Sequence, residues 1–261
     1  MFTTNPFAEL SAFIPPSVMQ TYVVAMIVLV VVGTLYDVVH KSSARYFFEN
    51  WRSAKKRGAQ PVGGGEMVSI AVKTAVVDVL ASGEFCNQQR RIAHLLGMYG
   101  FVAYAVATVV MVFSYATTSM PTPAIWPALW HIGALMICVG GYWFWFFIRV
   151  DVAAEGSSPF RVMRADLFIL SLLASATLAL IWSYLQNAGS AWSDVFFGLH
   201  VLATTVLFGS VPWSKFAHMF FKPAAAFEKR VSKADGSRSN LPPPADKPAN
   251  LGSPREHASH Y

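Results

Sequence analysis

The sequence predicts an all-α integral membrane protein with five transmembrane helices. Hydrophobic residues make up 54% of the 261 residues and charged residues only 13%, which is the balance of a membrane protein rather than of a soluble domain. About 20 apolar residues are needed to cross about 30 Å of hydrocarbon. Five segments qualify, at residues 18–39, 92–115, 126–148, 165–187 and 194–220.

The positive charges predict how these spans are oriented. All 20 Lys and Arg residues lie between spans one and two, between spans three and four, or from the end of span five onward. These segments share one side of a five-span topology, and Lys and Arg favour the cytoplasmic side. We therefore expect the N-terminus outside and the C-terminus in the cytoplasm, in a bacterial cytoplasmic (inner) membrane. The net charge of +6 is then a signal of topology, and no nucleic-acid partner is expected.

Four parts follow from this pattern. Residues 1–40 form an N-terminal segment with span one, 41–91 a cytoplasmic loop, 92–223 a four-helix bundle made of spans two to five, and 224–261 a Pro-rich, disordered cytoplasmic tail. Within the loop, the stretch at 66–82 is apolar apart from one stripe of Ser69, Lys73, Thr74 and Asp78. This pattern predicts a helix lying along the cytoplasmic membrane surface, with a plain solvated connector as the alternative.

Four histidines lie within the spans or at their ends. The predicted topology places His94 and His218 at the inner edge, and His131 and His200 a few residues inside the outer edge. On one continuous helix, the 18 residues from His200 to His218 make five turns and about 27 Å of rise, so both imidazoles would point the same way. Two six-coordinate haem b groups need such pairs, with two neutral imidazoles per iron from facing helices. The bundle is therefore expected to bind haem.

Each of these histidines also has a simpler interpretation. A single His can be packed in a bundle with a hydrogen bond to a backbone carbonyl, and His40 lies at a depth that would also suit an inner haem. Arg90 and Arg91 are candidates to pair with the propionates of an inner haem.

Small residues in the bundle allow two interpretations as well. Gly97, Gly100 and Gly209 could leave room for a macrocycle or could serve close helix packing, and the sequence favours neither. Pro212 is expected to kink span five, because proline lacks the N–H that a helix interior uses.

Two stretches of the sequence resemble known membrane cytochromes. Residues 199–223, "LHVLATTVLFGSVPWSKFAHMFFKP", resemble the last helix of the cytochrome b (gamma) subunit of respiratory nitrate reductase, whose two histidines ligate two haems. The resemblance implies the same role for His200 and His218. Residues 85–101, "FCNQQRRIAHLLGMYGF", resemble the second helix of the quinone-interacting oxidoreductase complex and of the membrane anchor associated with adenylylsulfate reductase. That match implies a ligand role for His94.

The chain departs from the nitrate reductase pattern at one position. That family has a second histidine ten residues further along helix two, where this chain has Tyr104. Either His131 replaces the missing ligand or the outer haem is absent. The longer loop at 41–90 and the lack of an attached iron–sulfur domain favour a stand-alone anchor of the adenylylsulfate reductase type.

The expected function is electron transfer by a dihaem cytochrome b. Electrons would pass between a cytoplasmic iron–sulfur or flavin partner, with adenylylsulfate reductase implied by the resemblance, and the quinone pool. The chain would be a subunit of an oxidoreductase without a complete active site of its own. One alternative is a structural anchor lacking one or both haems. A small transporter is disfavoured, because Asp37, Asp166 and Asp194 all lie near predicted helix ends rather than at the midplane.

Overall fold

A computed structural model describes residues 2–40, 48–49, 51–52, 56, 60–83, 85, 87–150, 158–213 and 218–237. In this part of the chain all regular elements are helices, consistent with the predicted all-α class. They are α1 (Pro6–Leu10), α2 (Pro16–His40), α3 (Gly64–Lys73), α4 (Gln88–Ser114), α5 (Ile125–Trp143), α6 (Leu167–Asn187), α7 (Ser193–Gly209) and α8 (His218–Ala234). Helix α3 continues as a π-helix over Thr74–Leu80, α5 continues as one over Phe144–Ile148, and a 3-10 turn over Arg164–Asp166 leads into α6.

Four helical segments are long and apolar enough to cross a membrane. They are Pro16–Asp37, Gln88–Ser114, Ile125–Ile148 and Leu167–Asn187, and they match the first four predicted spans. Helix α7 is apolar but has only 17 residues, which is short of the about 20 that a perpendicular span requires. The chain is therefore a helical protein of the multi-pass membrane type, while the fifth span and the orientation stay predictions.

The expectation of one continuous helix over residues 194–220 is wrong. Helix α7 ends at Gly209, residues 210–213 form a turn closed by the Trp213 N–H and the Ser210 carbonyl at 2.9 Å, and the next described helix begins at His218. Glycine and proline are the two residues least favourable in a helix interior, and Pro212 breaks the helix instead of merely kinking it. His200 and His218 thus lie on different helices, and the five-turn spacing between them does not apply.

The prediction of a tail that is disordered from residue 224 is also wrong in its first part. The chain is helical to Ala234, since alanine, glutamate, lysine and arginine are strong helix formers and tertiary contacts support them. Arg230 donates to Asp78 from two nitrogens, with Nη2 and Oδ1 at 2.8 Å. Residues 238–261 of the predicted tail lie outside the described residues.

The chain divides into two compact units. The first comprises residues 1–37 and 85–217, and the second comprises residues 38–84 and 218–261. This division differs from the predicted parts in two respects. The N-terminal segment belongs with the bundle, and α8 belongs with the segment that was predicted to be a separate loop.

Helices α4 to α7 pack in sequence order, and the closest approach is between α4 and α5. A Cβ added to Gly100 would lie 2.7 Å from the Gly133 carbonyl oxygen, and one added to Gly140 would lie 2.6 Å from that of Ala93. Such contacts let two helix backbones approach closely. Gly100 therefore serves helix packing, whereas a Cβ at Gly97 would have no neighbour within 4 Å.

Short helix α1 covers one end of the bundle. We call this end, which holds the loop after α4 and the loop after α6, the outer end, for the side on which it is predicted to lie. Asn5 caps α1 by accepting from the Phe7 N–H at 3.0 Å, and its amide donates to the Tyr115 carbonyl at 2.9 Å. Phe7 is 5% exposed, and its ring packs edge-on against Trp130 and Trp182. The N-terminal segment is thus a plug over the bundle, which the sequence pattern did not predict.

A buried ion pair closes the opposite, inner end. The Arg149 side chain is 1% exposed and donates through Nη2 to Asp166 at 2.6 Å and to the Arg161 carbonyl at 2.8 Å. The same Asp166 oxygen accepts from the Met163 N–H at 2.9 Å, and the guanidinium lies 4.0 Å from the centre of the Trp145 ring. This pair fixes the segment that enters α6 against the end of α5.

Replacing Asp166 by Ala should strongly destabilise the bundle. The change leaves the Arg149 charge buried without its partner, which typically costs about 3–5 kcal/mol. The thermal unfolding midpoint of the detergent-purified protein would show this loss. Arg161→Ala is the matched control, because it removes an exposed guanidinium and keeps the carbonyl that Arg149 uses. Equal midpoints for the two variants would contradict a structural role of the pair.

Glycine substitutions should separate the two interpretations of the small residues on α4. Gly100→Ala forces α4 away from α5 and should cost about 1–3 kcal/mol, as overpacking generally does. Gly97→Ala meets no atom and should be neutral, or more stable by up to about 1 kcal/mol through helix propensity. Thermal unfolding of both variants in one detergent tests the difference, and a destabilised Gly97→Ala protein would oppose it.

Candidate functional site

Two histidines and two tryptophans form a connected group in the outer half of the bundle. Trp130 lies edge-on to His131 with ring centres 4.9 Å apart, and edge-on to Trp182 at 6.1 Å. Trp182 in turn stacks on His200 at 5.8 Å with an angle of 14° between the rings. We call these four residues the His–Trp cluster. It brings together His131 and His200, the predicted outer pair.

Both ring nitrogens of His131 are hydrogen-bonded within the bundle. The side chain is fully buried, with Nδ1 2.7 Å from the Pro127 carbonyl oxygen and Nε2 2.8 Å from the Ser183 hydroxyl. Because a carbonyl oxygen can only accept, Nδ1 carries the proton. In the neutral ring Nε2 then holds the lone pair and accepts from Ser183.

His200 has the same tautomer, but only one of its ring nitrogens is hydrogen-bonded. It is 7% exposed, and its Nδ1 lies 3.1 Å from the Ser175 carbonyl oxygen, so this nitrogen is again the donor. Among the described residues, Nε2 of His200 has no hydrogen-bond partner. The ring is therefore held by one nitrogen and by Trp182, and the lone pair of the other nitrogen is available.

This arrangement resembles that of histidines that bind metals. A ligating His usually donates its second N–H to a carbonyl or carboxylate, which fixes the tautomer and the direction of the ring. His200 Nε2 is available as a ligand in this structure, whereas His131 Nε2 is available only if Ser183 releases it. Their partners on α6 are eight residues apart, or about 12 Å of rise. One iron between the two rings requires them to converge from these points.

Two further features of the cluster were not predicted from the sequence. The Trp182 Nε1 atom is buried, and in the described part of the chain it has no hydrogen-bond partner. The Phe2 ring lies 5.0 Å from that of His131 and adds to the plug. Ser175 and Ser183, which hydrogen-bond to the two histidines, were also not predicted. The sequence did offer a signal for them, because they are eight residues apart and share a face of a helix.

A polar cleft reaches the cluster at the outer end of the bundle. Its volume is about 240 Å³, and it is lined by Thr4, Glu9, Ser183, Gln186 and Asn187. Ser183 is thus the link between the cleft and His131. A small polar molecule in this cleft would be one hydroxyl group away from the imidazole.

Tyr104 stands where the nitrate reductase family has its second histidine on helix two. Its ring stacks on Trp130, with centres 5.3 Å apart and an angle of 23° between the planes. It therefore packs against the His–Trp cluster from α4. His131 belongs to the same cluster on α5, and its replacement of the missing ligand stays a prediction.

The predicted inner pair is described only in part. His94 is half-buried and packs on Phe85 at 4.9 Å, and the Arg90 guanidinium lies 5.9 Å from the centre of that Phe85 ring. Arg91 is half-buried beside it. The side chain of His218 lies outside the described residues, so the pairing of His94 with His218 stays a prediction. The competing inner candidate, His40, is exposed at the end of α2.

Comparison with known proteins gives one distant similarity. The chain is 24% identical over 202 residues to citrate utilization protein B of Escherichia coli, and the match covers 73% of the chain and 52% of that protein. The chain thus spans about half the length of this relative. No protein-family profile and no solved structure matches the chain.

Proposed function

We propose that the chain is a membrane-embedded cytochrome b subunit that transfers electrons between a cytoplasmic oxidoreductase and the quinone pool. The observation that carries this proposal is the His200 imidazole. It is buried in an apolar helix, its Nδ1 is fixed on the Ser175 carbonyl, and its Nε2 has no partner in the described part of the chain. Ionisable residues inside membrane bundles are retained mostly for function.

The chain's own residues would hold and shield the cofactor. His200 and His131 would supply Nε2 lone pairs to an outer haem, while the Ser175 and Pro127 carbonyls keep both rings in the required tautomer. Phe7 would exclude water from this site. A bound haem would supply one-electron transfer. By the sequence resemblance, His94 and His218 would hold an inner haem, with Arg90 and Arg91 near its propionates.

The outer cleft is the proposed site of the quinone head. Its volume of about 240 Å³ is below the roughly 300–1,000 Å³ of drug-sized pockets, which suits a single substituted ring. The Ser183 hydroxyl and the amides of Gln186 and Asn187 can donate to a quinone carbonyl. Glu9 lies at the rim and can accept a proton as quinol is oxidised.

The proposed partner is a cytoplasmic iron–sulfur or flavin protein. The resemblance of residues 85–101 implies adenylylsulfate reductase. The similarity to citrate utilization protein B makes a partner that works in citrate utilisation the alternative. Either partner would dock on the basic segments that the charge pattern assigns to the cytoplasm.

A structural anchor without a full set of haems is the second candidate. The observation in its favour is the Ser183 hydroxyl, which occupies the Nε2 of His131 at 2.8 Å. With both nitrogens bonded to the protein, this histidine could be a packed core residue. The chain would then hold a soluble reductase at the membrane through its positive segments.

Haem content tests the proposal most directly. A pyridine haemochrome assay on the purified protein should give two haems b per chain. His200→Ala and His218→Ala should each lose one haem, because each removes a ligand from a different pair. His257→Ala, in the tail, is the control and should keep both.

Two other results of the haem assay would each contradict part of the proposal. One haem per chain, lost in His218→Ala and kept in His200→Ala, would rule out the outer site. A wild-type protein without haem would make the bare anchor the better description.

Ser183→Ala should weaken quinol binding while leaving haem content unchanged. A neutral hydrogen bond contributes about 0.5–1.5 kcal/mol, so KM for a quinol analogue should rise about two- to tenfold in haem reduction assays. Ser171→Ala is the matched control, because it is the same change on the same helix toward the inner end. Loss of haem in Ser183→Ala would instead assign this serine to the haem pocket.

A further inference from the structure

We propose that one face of α3 and its π-helical continuation lies in the lipid headgroup region of the membrane. We call it the valine face, and it consists of Val68, Val72, Val76 and Leu80, each four residues after the last. The inference goes beyond electron transfer and does not depend on any cofactor. It identifies the part of the second unit that contacts lipid.

The valine face is exposed to the same degree as the apolar side of a membrane span. Its four side chains are 64%, 58%, 53% and 51% exposed in chain order. On α2, which has the length and hydropathy of a span, Val31 and Val32 are 52% and 57% exposed. Contiguous apolar surface of this kind marks contact with a membrane or with another protein.

Two polar residues of the same helix are turned away from this face. Thr74 is 4% exposed, and the Asp78 side chain is 9% exposed and paired with Arg230 of α8. The second unit thus places its ion pair between two helices and its valines on the outside. A helix pair surrounded by water would bury its valines rather than its ion pair. Of the expected polar stripe, Ser69 and Lys73 are exposed, whereas Thr74 and the Asp78 side chain are largely buried.

The connections of the chain favour lipid over a soluble protein as the occupant. Helix α4, a membrane-type helix, begins at Gln88, eight residues after Leu80. Only residues 81–87 separate the valine face from this membrane-type helix in the sequence. Lys73 is exposed next to the valines, and its long side chain can reach lipid phosphates from a helix lying in the interface.

Fluorescence quenching in lipid nanodiscs tests this placement on the full chain. With Cys86 and Cys138 replaced by Ala, Val72→Cys is labelled with the fluorophore NBD. Val76→Cys provides a second label on the same face if the first variant fails to fold. Lys229→Cys, at an exposed position of α8, is the control. The two quenchers are a phosphatidylcholine spin-labelled near the top of its acyl chain and aqueous iodide.

The expected result is strong quenching by the lipid and weak quenching by iodide at positions 72 and 76, with the reverse at 229. An apolar helix face in the interface lies about 5–10 Å into the boundary between headgroups and acyl chains, within reach of that spin label. Quenching of position 72 or 76 by iodide alone would overturn the proposal, because the face would then be in water. Quenching by neither agent would also overturn it, since protein would then cover the face.

Discussion

The interior of a bilayer offers no water, so buried polar groups in the bundle must find partners within the chain. This constraint accounts for most of the polar contacts between the helices. Each unsatisfied group in hydrocarbon costs several kcal/mol, and Arg149 accordingly bonds to a carboxylate and to backbone carbonyls. Serines on α6 follow the same rule, as Ser171 donates to the Leu167 carbonyl one turn earlier. The fold is therefore a set of apolar helices joined mostly by hydrogen-bonded polar residues.

Against this background, one exception lies in the His–Trp cluster. Trp182 has a buried indole N–H without a partner, and it stacks on His200, whose Nε2 also has none in the described residues. The cluster thus holds one donor and one lone pair that have no hydrogen-bond partner in the described residues. Unsatisfied polar groups of this kind are expected at functional sites, where a ligand would supply the missing partners. This is why His200, more than His131, supports the cofactor hypothesis.

The sequence predicted the membrane spans, which depend on composition. It did not predict where a helix ends or which distant segments pack together, because these depend on competition between contacts. Four spans followed from hydropathy, because a stretch of about 20 apolar residues has few alternatives. The end of α7 did not, because it depends on whether apolar burial outweighs the cost of Pro212 in a helix. The plug of Asn5 and Phe7 was missed for a related reason. Its contacts join residues more than 100 positions apart, which no local pattern encodes.

The candidate site, too, was predicted only in part. The depth ranking of the histidines came from topology and led to His131 and His200, which the structure joins through two tryptophans. Their tautomers could not be predicted, because these depend on which carbonyl faces each ring, that of Pro127 on α5 for His131 and that of Ser175 on α6 for His200. Sequence spacing fixes the face of a helix but not the partner across the gap. The spacing of Ser175 and Ser183 indicates a shared helix face, but their contacts with the two histidines were visible only in the structure.

The hydrogen bond from Ser183 to His131 opposes haem binding only weakly. It also links the proposed haem site to the proposed quinone site. Releasing Nε2 of His131 costs one neutral hydrogen bond, about 0.5–1.5 kcal/mol. If a haem were bound, His131 would supply this lone pair to it and the Ser183 hydroxyl would be released. The freed hydroxyl lines the outer cleft, where it could donate to a quinone carbonyl. Loading of the metal site would thus prepare the cleft for its substrate.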